Sequence, residues 1–199
     1  MKKAFSIIIV LLLIFQSSFA NFYSSDPQTF IKEMVNDAIN TLSNKNLSDE
    51  EKTSFIENLA IDNVDINALG LYTLGELRKS ADKSSLDKYQ KIFEKYFLKS
   101  LTSRLTDYSS NTFEVTGSEK KSSNYTIVKS KIAKSEKQPE IIIDWRVYTK
   151  NTEKPLVRDL IVEGLSLART QKEEFASILN SNNNDINILI AKLEEFLKN

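Results

Sequence analysis

Two acidic residues four positions apart, Asp159 and Glu163, are the first candidates for acid–base chemistry in this chain. They stand in the segment D-L-I-V-E-G (159–164), where the apolar run predicts a strand. Residues four apart on a strand point to the same side and lie about 13 Å from each other, at about 3.3 Å per residue. Carboxylates that cleave a glycosidic bond together lie about 5–9.5 Å apart. The spacing therefore argues against a joint catalytic role.

The composition removes most other catalytic chemistry. The 199 residues include no histidine and no cysteine, so Ser-His-Asp, Cys-His and histidine-ligated metal sites are excluded, as are disulfides. No G-x-x-x-x-G-K segment is present, which excludes a P-loop. We expect no cofactor, no metal and no enzymatic activity. The alternative at this stage is an enzyme that performs acid–base chemistry inside a cone-shaped α+β domain.

Residues 1–20 have the pattern of a cleaved secretory signal. Lys2 and Lys3 precede an apolar run of nine residues at 7–15, and Ser18-Phe19-Ala20 supplies small residues before a cleavage site. The run is far shorter than the ~20 residues that cross a bilayer. We therefore expect export from the cytoplasm and a single domain over 21–199.

The mature chain has no basic excess. Removal of the two lysines of the signal changes 27 basic residues against 27 acidic to 25 against 27, a net charge near −2. A general nucleic-acid binder needs a concentrated basic surface, so no nucleic acid is expected as a partner.

Helical periodicity dominates the first half of the mature chain. Asp26-Pro27 predicts a helix start, and the capping box Ser48-Asp49-Glu50-Glu51 predicts a second. The segment 66–79 reads as a third helix, weakened by its two glycines. A fourth and longest helix is expected from 84, with an aromatic stripe that includes Phe93 and Phe97.

The periodicity then changes to two, and returns to helical at the end of the chain. Alternating residues near 113–115, in 124–134 and in 141–147, together with 156–163, predict four strands in an antiparallel meander. The capping box Thr170-Gln171-Lys172-Glu173 predicts a helix, and Asp185 predicts the start of the last one. The fold class is therefore α+β, with a four-stranded antiparallel sheet packed against several helices.

Two blocks of this sequence resemble the MlaC family of periplasmic phospholipid-binding proteins, also described as toluene-tolerance ABC-transporter auxiliary proteins. The first is L-Y-T-L-G-E-L-R-K-S-A-D (71–82) followed by the Tyr/Phe-rich Y-Q-K-I-F-E-K-Y-F-L-K-S-L (89–101). The second runs from I-I-D-W-R-V-Y (142–148) to D-L-I-V-E-G-L-S-L (159–167). The chain departs from the pattern at 117–139, which is rich in lysine and serine, and Ser130 stands where an apolar residue is expected.

The resemblance implies a carrier. Such a protein holds the acyl chains of a glycerophospholipid in an apolar cavity between sheet and helices. It exchanges lipid with an inner-membrane ABC complex that bears an MCE-type subunit, and with an outer-membrane lipoprotein–porin complex. A shuttle of this kind is expected to travel as a monomer. No catalytic role for Glu163 follows from the family.

The residues expected to contact lipid are the apolar ones whose side chains face between the layers, although each could equally be plain core. They are Phe93, Phe97, Leu101, Leu105, Phe113, Val115, Val128, Ile143, Trp145, Val147, Leu165 and Leu167.

Gly164 is expected to allow a sharp turn or a positive φ where the last strand ends. Leu165 and Leu167 would then fold over the mouth of the cavity, while Glu163 pairs with a nearby base or caps backbone N–H groups.

A third class of function is a protein-binding module, such as an adhesin or an assembly factor. Its contact patch would be Lys129, Lys131, Lys134 and Lys137. Lysines of this kind more often lie on a solvated strand edge, where they discourage sheet-to-sheet aggregation.

Overall fold

Helices come first, strands next and helices last, which confirms the α+β class. The computed structural model describes residues 23–105, 112–134, 139–151 and 153–198, without the side chains at 104 and 105. The helices are α1 (Pro27–Ser43), α2 (Asp49–Asn63), α3 (Ile66–Thr73), α4 (Lys83–Leu105), α5 (Leu167–Asn180) and α6 (Ile186–Lys198), with a 3₁₀ helix at Gly75–Lys79. The strands are β1 (Phe113–Lys120), β2 (Tyr125–Ile132), β3 (Ile141–Tyr148), β4 (Leu156–Val162) and β5 (Leu165–Ser166). The predicted signal peptide lies outside the described residues.

The first two helices begin where the capping residues predict. The Asp26 side chain accepts a hydrogen bond from Thr29 N at 2.9 Å, with Pro27 at the first helical position. At α2, Ser48 and Glu51 form both bonds of the capping box, each side chain accepting from the backbone N–H of the other residue. These bonds satisfy donors that the start of a helix leaves free.

The single helix expected over 66–79 is interrupted. α3 ends at Thr73, and a 3₁₀ helix starts at Gly75. Gly75 has a φ of +57°, a left-handed conformation that an α-helix cannot contain. The sequence pattern missed this break because the apolar spacing continues through it.

The sheet has five antiparallel strands in the order β1-β2-β3-β4-β5, rather than the four expected. The additional strand is the short β5, which pairs Leu165 with Val162 and Ser166 with Ile161. Two residues are too few to produce a periodic signal in the sequence. Each strand pairs with its neighbour in sequence, so the predicted meander is confirmed.

The strand register gives the sheet two different faces. Val128 lies opposite Trp145, and Val147 lies opposite Val157, so their side chains share one face, called here the inner face. Helix α1 packs on this face through Phe30, Ile31 and Met34, which form a buried cluster with Val128, Val147 and Val157.

The other large apolar cluster is helical. Tyr89 and Phe93 of α4 lie at its centre, and burial raises the pKa of the Tyr89 phenol above its ordinary value. The remaining buried members come from α3, the residue that follows it, α5 and α6; they are Ile66, Leu74, Phe175, Leu179, Ile186, Leu189, Ile190 and Leu193. Within the described residues, no helix combines the length and the hydropathy needed to span a membrane.

Helix α5 begins at Leu167, four residues earlier than the capping box at 170–173 predicts. Ser166 is the N-cap and accepts from Arg169 N at 3.0 Å. Thr170 instead donates its hydroxyl to the Ser166 carbonyl at 3.1 Å, within the helix. Only the β4–β5 hairpin therefore separates β4 from the first residue of α5.

Candidate functional site

The Glu163-Gly164 pair is the loop of a tight hairpin. Val162 and Leu165 are paired across it, and the two loop residues have φ values of +49° and +81°. A two-residue hairpin with positive φ at both positions matches the right-handed twist of its strands. The expectation that Gly164 takes a positive φ is confirmed.

Glu163 holds the hairpin to the neighbouring strand. Its Oε1 accepts from Ile142 N at 2.6 Å, and its own backbone N–H donates to the Ile142 carbonyl at 3.0 Å. Of the two roles expected for Glu163, the structure shows the capping of a backbone N–H.

Asp159 is a buried carboxylate that organises the start of α5. Only 4% of the residue is exposed. Its two oxygens accept from Ser166 Oγ at 2.6 Å and from Ala168 N at 3.0 Å, and Arg146 Nη1 lies 3.4 Å away. The D-x-x-x-E-G-x-S segment is thus a structural unit in which both carboxylates bind backbone groups.

On the inner face, a hydrogen bond to Ser130 fixes the indole ring of Trp145. The indole Nε1 donates to Ser130 Oγ at 2.8 Å, and that hydroxyl donates to the Ile143 carbonyl at 2.8 Å. Ser130 is only 2% exposed, and Phe113 packs edge-on against the indole with ring centroids 6.2 Å apart. A buried indole needs an acceptor, which explains the polar residue at 130.

Three of the twelve residues expected to contact lipid are fully buried: Phe93 in the helical cluster, and Val128 and Val147 in the cluster under α1. Six others are only partly buried: Phe97, Leu101, Phe113, Val115, Ile143 and Trp145.

The remaining three expected residues lie at the ends of their elements. Leu165 is 69% exposed and Leu167 is 41% exposed, beside the hairpin. The side chain of Leu105 lies outside the described set.

Helices α1, α3 and α5 contact the sheet, whereas α4 packs mainly on other helices. Val64 packs against both clusters, whereas α4 packs chiefly on α6 and α3 and less on α2. On the inner face, Leu160 and Val162 of β4 lie opposite Trp145 and Ile143, and both are partly buried. Sequence reasoning did not select these two residues, although the alternation along β4 and the predicted meander would have placed them on this face.

The predicted lysine patch is divided among ion pairs. Lys131 lies 3.4 Å from Glu140 and 3.7 Å from Glu114, and hydrogen bonding to Glu140 raises the pKa of its ammonium group. Lys129 lies 3.9 Å from Glu119. Lys134 is exposed, and Lys137 lies outside the described residues. The lysines therefore do not form a continuous basic surface.

A cleft of about 950 Å³ lies against the opposite, outer face of the sheet. Its sheet wall includes Tyr125, Ile127, Arg146 and Ile161, which alternate with the inner-face residues, and α3 forms the other wall. No cluster of acidic side chains suited to a metal ion occurs among the residues that the structure describes.

A five-stranded antiparallel meander packed against helices defines a domain of the α+β class. The chain belongs to the MlaC family, whose model, described as MlaC protein, matches residues 32–195.

A solved structure has the same fold. It is a phospholipid-binding protein from Ralstonia solanacearum in complex with a phospholipid, and it superposes with a TM-score of 0.72 at 18% identity, over 86% of this chain and 96% of that one. In a comparison with curated proteins, none matches.

Proposed function

We propose that this protein is a phospholipid carrier whose acyl-chain site lies between the inner face of the sheet and the helices. The observation that carries the proposal is the partial burial of apolar side chains in both layers, Phe97 and Leu101 of α4 and Ile143 and Trp145 of β3. A completed core packs such side chains to crystal-like density, whereas a cavity leaves them accessible to a ligand.

The fully buried residues among those expected to contact lipid do not contact it in this proposal. Phe93, Val128 and Val147 lie in packed clusters and support the walls, while the partly buried residues touch the chains. Leu165 and Leu167 are placed at the mouth. Membership of the MlaC family and the fold shared with a phospholipid-bound protein support this assignment.

The energetics suit a passive carrier. Two acyl chains have about 30 methylenes, and burial of each contributes about 0.8 kcal/mol, so the chains gain roughly 25 kcal/mol relative to water. A bilayer offers nearly the same gain, so transfer between carrier and membrane is close to neutral. Direction must therefore come from the partners at each end.

By resemblance to its family, the proposed carrier works in the periplasm after removal of residues 1–20, as a single domain over 21–199. The proposed partners are an inner-membrane ABC complex with an MCE-type subunit and an outer-membrane lipoprotein–porin complex. A soluble protein that encloses the acyl chains is needed where lipids cross an aqueous gap between two membranes.

Native mass spectrometry of freshly purified protein tests the proposal. We expect one population heavier by the mass of a phospholipid, and release of that lipid on collision with gas. A lipid-free protein that takes up no phospholipid after incubation with phosphatidylethanolamine–phosphatidylglycerol vesicles would contradict it.

A further inference from the structure

The cleft on the outer face of the sheet is lined by both apolar and basic side chains. Leu71 and Tyr72 of α3 line one side and are 37% and 40% exposed. Ile127 and Ile161 line the sheet side. The volume of about 950 Å³ lies in the range of small-molecule sites, about 300–1,000 Å³. Exposed aliphatic and aromatic groups at this depth can receive a hydrocarbon chain.

One arginine of the cleft is fully engaged. Arg158 Nε and Nη2 lie 2.7 and 2.6 Å from Asp65 Oδ2, and Nη1 donates to the Tyr125 hydroxyl at 2.8 Å. Its guanidinium also lies over the Tyr148 ring, 3.5 Å from the centroid. Arg158 therefore fastens α3 to the sheet and has little capacity left for a ligand.

Arg146 is different. Its guanidinium lies 3.4 Å from Asp159 Oδ2, and that oxygen already accepts the closer bond of 2.6 Å from Ser166. The Arg146 side chain is 43% exposed and carries five N–H donors in a planar fork. Most of these donors remain available to a bidentate anion in the cleft.

The charge of the lining as a whole favours an anionic ligand. Five basic and two acidic residues line the cleft, a net charge of +3; they are Arg78, Lys121, Lys129, Arg146 and Arg158 against Glu119 and Asp144. Asp65 and Asp159, which pair with Arg158 and Arg146, reduce this net charge to +1. Glu119 is neutralised by Lys121 at 2.5 Å, and hydrogen bonding to that lysine lowers the pKa of Glu119. Asp144 stands opposite Lys129 in the strand register.

We propose that this cleft is a second ligand site, for an anionic amphiphile with one hydrocarbon chain. The phosphate or carboxylate binds the Arg146 fork, and the chain lies along Leu71, Tyr72 and Ile161. The site is on the other side of the sheet from the proposed acyl-chain cavity and does not depend on it.

Titration with dodecyl phosphate below its micellar concentration tests this site, with nuclear magnetic resonance as the readout. The Arg146 Nε–H and Tyr72 amide signals should shift, while the indole N–H of Trp145, the single tryptophan, should not. Dodecanoate should act similarly. Inorganic phosphate and neutral dodecyl maltoside should each bind at least ten-fold more weakly, which separates the anionic and apolar contributions.

Arg146→Gln should weaken dodecyl phosphate binding at least ten-fold. Arg169→Gln, which removes an arginine with a 74% exposed side chain on α5, should leave it unchanged. Arg78→Gln is the second test and should weaken dodecyl phosphate binding several-fold. The Arg78 side chain donates to the Gly75 carbonyl, so this change, unlike Arg146→Gln, does not remove a partner of the Asp159 carboxylate. Shifts confined to the Trp145 indole, or equal affinity for dodecyl maltoside, would overturn the proposal. Failure of this site would leave the phospholipid-bound population in mass spectrometry unaffected.

Discussion

The carboxylate of Asp159 and the hydroxyl of Ser166 are joined by a hydrogen bond of 2.6 Å across the β4–β5 hairpin. Ser166 uses the same oxygen to accept from Arg169 N at 3.0 Å, so one hydroxyl connects a buried acid to the first turn of α5. The strand, the turn and the helix are thereby held as one rigid piece.

Replacement of Asp159 by Asn should destabilise the protein by about 1–3 kcal/mol, because the amide can no longer accept both bonds and a buried polar group is left unsatisfied. Ser166→Ala should cost about 0.5–2 kcal/mol through loss of the helix cap. Urea unfolding of both variants and of the double variant measures the coupling, expected at about 0.5–3 kcal/mol. Glu173→Gln, on the exposed side of α5, is the control. Strict additivity would show that the two side chains do not act together.

Gly164→Val should cost about 1–3 kcal/mol, since the φ of +81° is a conformation that a β-branched residue strongly disfavours. Gly164→Ala should cost less, and Gly164→Asn least, because asparagine tolerates the left-handed region. A Cβ at this position meets no atom within 4 Å, so the loss is conformational and not steric crowding by neighbours. Thermal unfolding gives the ranking. Equal unfolding midpoints across the series would show that the glycine has no conformational role.

The sequence predicted the positive φ at Gly164, although not the fifth strand after it, because the signal of a glycine is local. A glycine after a short apolar run indicates a positive φ, and Asp26, Ser48 and Asp185 predicted helix starts for the same reason, since a cap acts within three residues. The break at Gly75 was missed because the apolar spacing continues through it. The early start of α5 was missed because it depends on a contact that the pattern does not contain, that of Asp159 with Ala168 N.

The sequence also placed the expected lipid residues of β2 and β3 on one face, because the side chains of a strand alternate. It could not separate Val147, which is closed under α1, from Ile143, four residues away on the same face and partly open. That difference depends on where α1 ends its contact with the sheet, which is a property of the packed layers.

Charged substitutions should separate open from closed positions on the inner face. Ile143→Asp and Leu101→Asp should leave the protein folded and reduce the co-purified phospholipid by at least half, because an accessible cavity can hydrate the new charge. Val147→Asp, the matched change at a fully buried residue, should prevent folding. Circular dichroism and native mass spectrometry measure the two effects. Unfolding of the Ile143 and Leu101 variants would identify these positions as closed core.

The Trp145–Ser130 pair should be coupled. Ser130→Val leaves the indole N–H without its acceptor and should cost about 1–3 kcal/mol. Trp145→Phe combined with Ser130→Val should cost less than the sum of the two single changes, because no indole N–H is then left without an acceptor. Ser123→Ala, in the exposed turn between β1 and β2, should be neutral. Additive losses in chemical denaturation would mean that the bond at 2.8 Å contributes nothing specific.

Acid should remove the capping box of α2. The Ser48 backbone N–H and hydroxyl hold the pKa of Glu51 below its ordinary value of 4.5. The charged form is therefore stabilising above pH 4.5, and its contribution is lost as the pH falls through the lower, folded value. Glu51→Ala should lower the unfolding midpoint at pH 7, and the difference from the parent should shrink below pH 4.5. Glu50→Ala changes the same helix turn without the Ser48 bonds and should not show this convergence.

The order of the strands also has a kinetic consequence. Every strand pairs with the next one along the chain, so each pairing closes only a short loop. Loop-closure entropy is small for such contacts, and chains rich in local contacts fold faster than those that pair distant segments. The sheet can form hairpin by hairpin before the distant partners meet. The slow steps of folding should then be the long-range associations, such as α6 with α4, α3 with α5, and α1 with the inner face of the finished sheet.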